Sequence, residues 1–262
     1  MIKIKSDFEL EIMRENASIL RGILGNVVSR VEPGVTTLEL DEYAEELIVS
    51  AGAKPAFKNY RGFPHSLCTS LNEEIVHGIP GESVISSGDV LSLDIGIERE
   101  GLFADFATTV PVGDVGKSKM DLINVTNEAL TKGLNKVIPG NRVGDVSHAI
   151  GSYVNQKGYF VVKEFVGHGI GREMHEDPQI PNFGEPDTGE RIQEGMVFCI
   201  EPMVKRDEEK VEVLDDGWTT VTAGREVSAH FEGMVAATED GPEVLVRGGL
   251  QRPWQKKKTM TS

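Results

Sequence analysis

No apolar run in this sequence approaches the roughly 20 residues needed to cross a bilayer, which argues against a membrane-spanning protein. Its opening residues, MIKIKSDFELEIM, carry a charge every two or three positions and lack the apolar stretch of a secretory signal. Cysteine is scarce. Cys68 and Cys199 are too few for a disulfide framework, and a reducing cytoplasm is the expected compartment. Cations are also outnumbered, 27 Lys and Arg against 42 Asp and Glu, for a formal net charge of −15. Four of those cations (Arg252, Lys256, Lys257 and Lys258) fall in the acid-free C-terminal stretch, so the body is more acidic still. Such a surface repels phosphate backbones, and nucleic acid as a substrate is disfavoured. Familiar catalytic patterns are missing as well: there is no His-Glu-x-x-His and no Gly-x-Ser-x-Gly. The GKS at 116–118 has Pro111 where a phosphate-binding loop needs glycine, and GHGIGR at 167–172 lacks the third glycine of a dinucleotide fingerprint.

What is present is a chain of 262 residues, enough for one large domain or two modest ones, with 29 glycines, above the usual ~7%. An offset of 106 superposes two stretches, VEPGVTTLELDEYAEELIVSAGAKPAF from Val31 and VIPGNRVGDVSHAIGSYVNQKGYFVV from Val137. It matches Pro33-Gly34 with Pro139-Gly140, Leu47 with Tyr153, Ile48 with Val154 and Gly52 with Gly158. Each stretch reads as a helix, a Pro-Gly turn, a second helix ending at glycine, then strand-like sequence. In the first, Ile12, Ile19, Ile23 and Val27 mark one helix face, and Thr37 or Asp41 could cap the second helix. The match reads as an internal duplication near 19–58 and 125–164; two unrelated helical hairpins sharing a turn would look the same.

Strand candidates are 90–98, 102–110, 161–166, 196–200, 211–214, 219–222, 227–231 and 234–238. The expected class is α+β, an antiparallel sheet covered by helices. Residues after Gly248 read as a frayed, basic tail.

The unusual feature is acid inside apolar strands. Asp94 interrupts Val90–Ile95, Asp105 lies between Ala104 and Phe106, Glu201 follows Phe198-Cys199-Ile200, and Glu232 follows Phe231. Any single one could be an edge-strand acid facing water, but four with the same signature would be costly to bury without partners. A two-residue turn at Arg99-Glu100 would set Asp94 directly across from Asp105. Two carboxylates ~5 Å apart repel by roughly 3 kcal/mol at an effective dielectric of ~20, a cost that a metal ion reverses. A bulge at Gly101 would slip this register by one. Of six histidines, His168 sits between glycines in GHGIG, His175 lies in MHEDPQIPNF and His77 in EEIVHGIP. Oxygen-rich ligation with one imidazole suits Mn, Fe, Co or Zn in a two-metal catalytic site.

Taken together, NEEIVHGIP, LDIG, the spacing of Asp94 and Asp105, VGHGIGREMHEDPQIPNFG, GMVFCIEPMV and AHFEG closely resemble the bacterial type I methionine aminopeptidases, over roughly residues 3–247. The resemblance implies a pita-bread fold of two pseudo-symmetric halves, forming a single catalytic domain over 1–248 with the tail at 249–262. It implies that Asp94, Asp105, His168, Glu201 and Glu232 bind two divalent metal ions (Co, Mn, Fe or Zn), with Asp105 and Glu232 bridging both. His77 and His175 would contact substrate, and Glu201 would also carry the proton of the attacking water. Tyr60, Phe63, Cys68, Met174 and Trp218 fall where the family builds its methionine pocket. One departure stands out: relatives usually continue the last ligand as Glu-His-Thr, whereas Gly233-Met234 follow Glu232 here.

The implied activity is removal of the N-terminal methionine from nascent proteins whose second residue is small. The expected partners are therefore nascent polypeptides, with the ribosome as a candidate contact, no nucleic-acid substrate and no membrane. A cytoplasmic monomer is expected. The alternatives are an Xaa-Pro peptidase of the same fold, whose members usually carry an additional N-terminal domain, and a non-catalytic binding protein that has lost its ligands.

Overall fold

A computed structural model describes residues 2–208 and 210–249; the expected basic tail lies, from residue 250 onward, outside the described residues. Four α-helices are present among them: α1 Asp7–Arg30, α2 Thr37–Ser50, α3 Gly116–Leu134 and α4 Val143–Gln156. The start of α1 is fixed by a capping box, the Ser6 hydroxyl accepting from the Glu9 amide while the Glu9 carboxylate accepts from Ser6. Its buried residues Met13, Ala17, Leu20, Leu24 and Val27 recur every three or four positions and form one stripe. That stripe packs on the hairpin Val90–Arg99 and Leu102–Pro111, where fully buried Asn16 donates to the carbonyls of Arg99 and Leu102, 3.0 Å each.

The offset of 106 recurs in the coordinates. It carries the bounds of α2 onto those of α4, and strand Lys54–Pro55 onto Phe160–Val161. Gly34 and Gly140 both adopt a left-handed turn conformation, with φ of 99° and 100°. Their amides donate to the carbonyls of Ile85 and Ile192, which lie one residue off that offset. Thr36, not Thr37 or Asp41, caps α2. Asp41 instead accepts from the amides of Ser66 and Leu67 and bonds His65 at 2.6 Å, which anchors the start of a strand.

Every strand pairing described is antiparallel. In the first half Val90–Arg99 pairs with Leu102–Pro111, Leu67–Leu71 and Lys54–Pro55. In the second, the order is Gly241–Arg247, Gly233–Thr238, Val197–Ile200, Val166–Gly169 and Glu176–Pro181. Helices α1 and α2 pack with the first sheet, and α3 and α4 with the second. The same architecture places Asp94 on Val90–Arg99 and Glu201 immediately after Val197–Ile200, on corresponding strands of the two halves.

Two expectations need correcting. The hairpin turns at Glu100-Gly101, not Arg99-Glu100, because both residues take the left-handed conformation of a type I′ turn (φ 55° and 76°). Asp94 therefore faces Ala107, and Asp105 faces Gly96. The slip is by two, so both carboxylates stay on one face of the sheet. The second correction concerns 161–166, which is not one strand. Phe160–Val161 and Val166–Gly169 belong to different sheets, separated by a bend where the Lys163 amide turns to the Glu164 carboxylate.

Candidate active site

Each acid in the apolar strands is aimed at one place. Asp94 and Asp105 come from the first hairpin, His168 from Val166–Gly169, Glu201 from the end of Val197–Ile200, and Glu232 from the residue before Gly233–Thr238. All five line a single cavity of about 150 Å³. Asp105, Glu232 and His168 are 4%, 2% and 6% exposed. His168 Nδ1 lies 2.9 Å from the Gly169 carbonyl, which can only accept, so Nδ1 carries the proton and Nε2 is left bare. That nitrogen faces Glu201 Oε1 at 3.6 Å and Asp105 Oδ2 at 4.0 Å.

The electrostatics are those of buried acids crowded together. Burial raises the carboxyls of Asp105, Glu201 and Glu232 well above the usual range, and mutual repulsion adds to this. Burial also pushes Asp94 up to about 7 and the His168 imidazole down to about 4. One oxygen each of Asp94, Asp105 and Glu232 is buried without a hydrogen-bond partner. Orphaned carboxylate oxygens beside a bare imidazole nitrogen are the donor set of a cation site, and carboxylates joined by one imidazole suit Mn, Fe, Co or Zn.

The walls of the cavity bring the remaining expected residues together. Tyr60, Phe63, Cys68, His77, Met174, His175 and Trp218 all line it. His175 Nδ1 is hydrogen-bonded to the Tyr60 hydroxyl at 2.9 Å, and its ring lies 4.3 Å from that of His168. Burial lowers its pKa to about 3, assisted by the nearby His168 and Arg61, so the ring is neutral. Trp218 meets Phe63 edge-on at 5.3 Å and His77 at 6.2 Å. Cys68 pairs with Asp94 across neighbouring strands, and burial keeps its thiol protonated.

Three residues were not anticipated. Phe57 and Arg61 complete the wall, and neither stands in a periodic pattern that would signal it. Cys199 lies with Asp105, His168 and Glu232, their ligand atoms all within 4.8 Å of one another. The strand period of two carried this signal, because 199 and 201 share a face.

The glycine after Glu232 also has a physical reason. A β-carbon at Gly233 would lie 3.0 Å from the Val246 carbonyl and 3.1 Å from Arg247 Cβ, so the last strand occupies that space. Gly248 then donates to the Glu232 carbonyl at 2.8 Å, holding the backbone of that residue directly. A larger groove of about 580 Å³ along α4 carries its histidine and acids (His148, Glu164, Glu185 and Glu208) exposed to solvent, so size does not mark the site.

Known proteins agree with this geometry. The model of metallopeptidase family M24 matches residues 11–239. A methionine aminopeptidase of Clostridium perfringens is 46% identical over 94% of this chain and 98% of its own length. The crystal structure of methionine aminopeptidase from Thermotoga maritima superposes with a TM-score of 0.92 at 42% identity, covering 94% of this chain and 99% of that one. The prolidase from Pyrococcus furiosus shares the fold alone, with a TM-score of 0.75 at 23% identity over 92% of this chain and 64% of the prolidase. The antiparallel sheets and four helices are thus the pita-bread fold, and the chain belongs to metallopeptidase family M24, among its methionine aminopeptidases.

Proposed function

We propose that this enzyme removes the N-terminal methionine from nascent polypeptides whose second residue is small, working as a monomer in the cytoplasm. Among the described residues no helix is long and apolar enough to cross a membrane. One observation carries the reading: four carboxylates and a bare imidazole nitrogen converge on the floor of a cavity walled by aromatic rings and sulfur. An unbranched thioether suits such walls.

Asp94, Asp105, His168, Glu201 and Glu232 would hold two divalent ions, with Asp105 and Glu232 serving both. Bound there, the ions supply Lewis acidity and a water acidic enough to attack near neutral pH. Glu201 accepts the proton released in the attack and passes it to the leaving nitrogen. Nδ1 of the neutral His175 shares a hydrogen bond with the Tyr60 hydroxyl; with the hydroxyl as donor, Nε2 would bear the proton and serve as the donor to the scissile carbonyl. His77, edge-on to Trp218, closes the substrate side of the pocket. A cleft of about 480 Å³ shares Arg61, His168 and His175 with the cavity and gives the rest of the substrate chain a way out. In this reading residues 1–248 act as one catalytic domain, with the 249–262 tail outside it and the ribosome as a contact that brings nascent chains.

The test compares Met-Ala-Ser with Ala-Pro peptides, with and without a chelator. Cleavage of the first alone is expected, abolished by chelation and restored by Mn, Co or Fe. Preference for Ala-Pro would instead support an Xaa-Pro peptidase, and full activity in rigorously metal-free enzyme would overturn the reading.

A further inference from the structure

The extended residues before α1 are tied to the back of the active-site wall. The Lys5 amide donates to the Gly195 carbonyl at 2.8 Å, and Ile4 Cγ2 would lie 2.7 Å from a β-carbon on Gly195. From there the Lys5 side chain runs inward. Its Nζ stands 2.7 Å from Glu176 Oε2, and both side chains are 2% exposed. The other oxygen of Glu176 accepts from the amides of Arg172 (2.8 Å) and Glu173 (3.3 Å). A β-carbon on Gly171 would come within 2.3 Å of Lys5 Cε, so the lysine stem fills the space beside that backbone. The turn held this way carries Met174 and His175, both of which line the cavity.

A fully buried ion pair is a poor way to gain stability, because apolar residues of similar volume often do as well or better. What apolar residues lack is an acceptor for two backbone amides. We propose that the Lys5–Glu176 pair positions the 171–176 turn, so that Lys5 and Glu176 are positioning residues for Met174 and His175. This rests on reading the cavity as the methionine site.

Three variants test it: Glu176→Gln, Lys5→Met/Glu176→Met, in which both charges are replaced by apolar stems, and Lys5→Arg. Bound metal per chain, amide exchange at 172 and 173, and kinetics on Met-Ala-Ser are measured for each. In the double variant metal content should be unchanged and exchange at 172 and 173 at least about tenfold faster. Its kcat/KM should fall roughly 10- to 100-fold, through KM as Met174 leaves the wall and through kcat as His175 leaves its place. Glu176→Gln should fall between the double variant and wild type, and Lys5→Arg should stay near wild type. A double variant with wild-type exchange and kcat/KM overturns the proposal, and so does one that fails to fold, since the pair then serves overall stability. If the wild type does not cleave Met-Ala-Ser, the functional reading fails, while the exchange measurement still judges the pair.

Discussion

His168 and His175 are neighbours in space, yet the proposed chemistry asks different things of them. His168 has its Nδ1 proton committed to a carbonyl and offers only Nε2, as a ligand must. His175 is hydrogen-bonded to a tyrosine and, in the proposed chemistry, offers its other nitrogen's proton to substrate. His175→Ala should therefore keep its metal and nearly its melting temperature while kcat/KM falls roughly 10²–10³, or about 2.7–4 kcal/mol, the usual loss for one oxyanion donor. His168→Ala should lose metal and activity together. Equal metal loss in the two variants would show the roles to be wrongly divided. The buried acids make a second prediction, for the metal-free protein. Carboxyls raised by burial support folding below their ordinary pKa and withdraw that support as pH rises through their folded values. The lowered histidines support folding above about 6.5 and lose that support only as pH falls through their folded values. Between pH 6.5 and 8 mainly the carboxyls still change, so the metal-free Tm should fall across that window. Added Mn or Co should restore most at pH 8, and calorimetry should register protons released on binding, more at pH 6 than at pH 8. A metal-free Tm that climbs from pH 6.5 to 8 contradicts this account.

At the scale of elements, the first hairpin supplies Asp94 and Asp105 to the cavity and backs its wall at Gly96. A β-carbon on Gly96 would lie 2.8 Å from Phe57 Cε1 and 3.1 Å from Met174 Cε, on the pocket wall. Gly96→Ala should thus raise KM, cost about 1–3 kcal/mol by overpacking, and leave metal content intact. Kinetics and thermal melts check it, and an unchanged KM would show that the wall yields freely. The hairpin also shows how much of the fold was legible. An acid in an apolar strand is conspicuous, so Asp94, Asp105, Glu201 and Glu232 stood out from sequence. Turn type is not, because Arg99-Glu100 and Glu100-Gly101 both read as turns. The error survived harmlessly since a shift of two preserves the face. The pocket wall was legible only through family resemblance. Asn59 and Arg61 take left-handed conformations in a loop without period, which nothing in the pattern announces. Strands Glu176–Pro181 and Gly241–Arg247 escaped notice because they contain prolines, which ordinarily argue against a strand.

Across the whole molecule, the site is a seam. The first half contributes Asp94 and Asp105, the second His168, Glu201 and Glu232, and neither half holds a complete set. The halves join through the short link between Leu102–Pro111 and α3, so a chain cut after Asp114 should give two fragments, each inert and without the metal pair. Coexpressed, they should reassemble with metal and activity, as gel filtration and metal analysis would show. Fragments that bind metal singly would refute the shared seam. The correspondence of the strands that carry Asp94 and lead to Glu201 has an ancestral consequence too. A half-length forebear pairing with its own copy would have set two equivalent acids beside its twofold axis, so that holding a cation and dimerising were one event. Fusion of the two copies would then have let each diverge, so that one side could add a histidine to its two carboxylates.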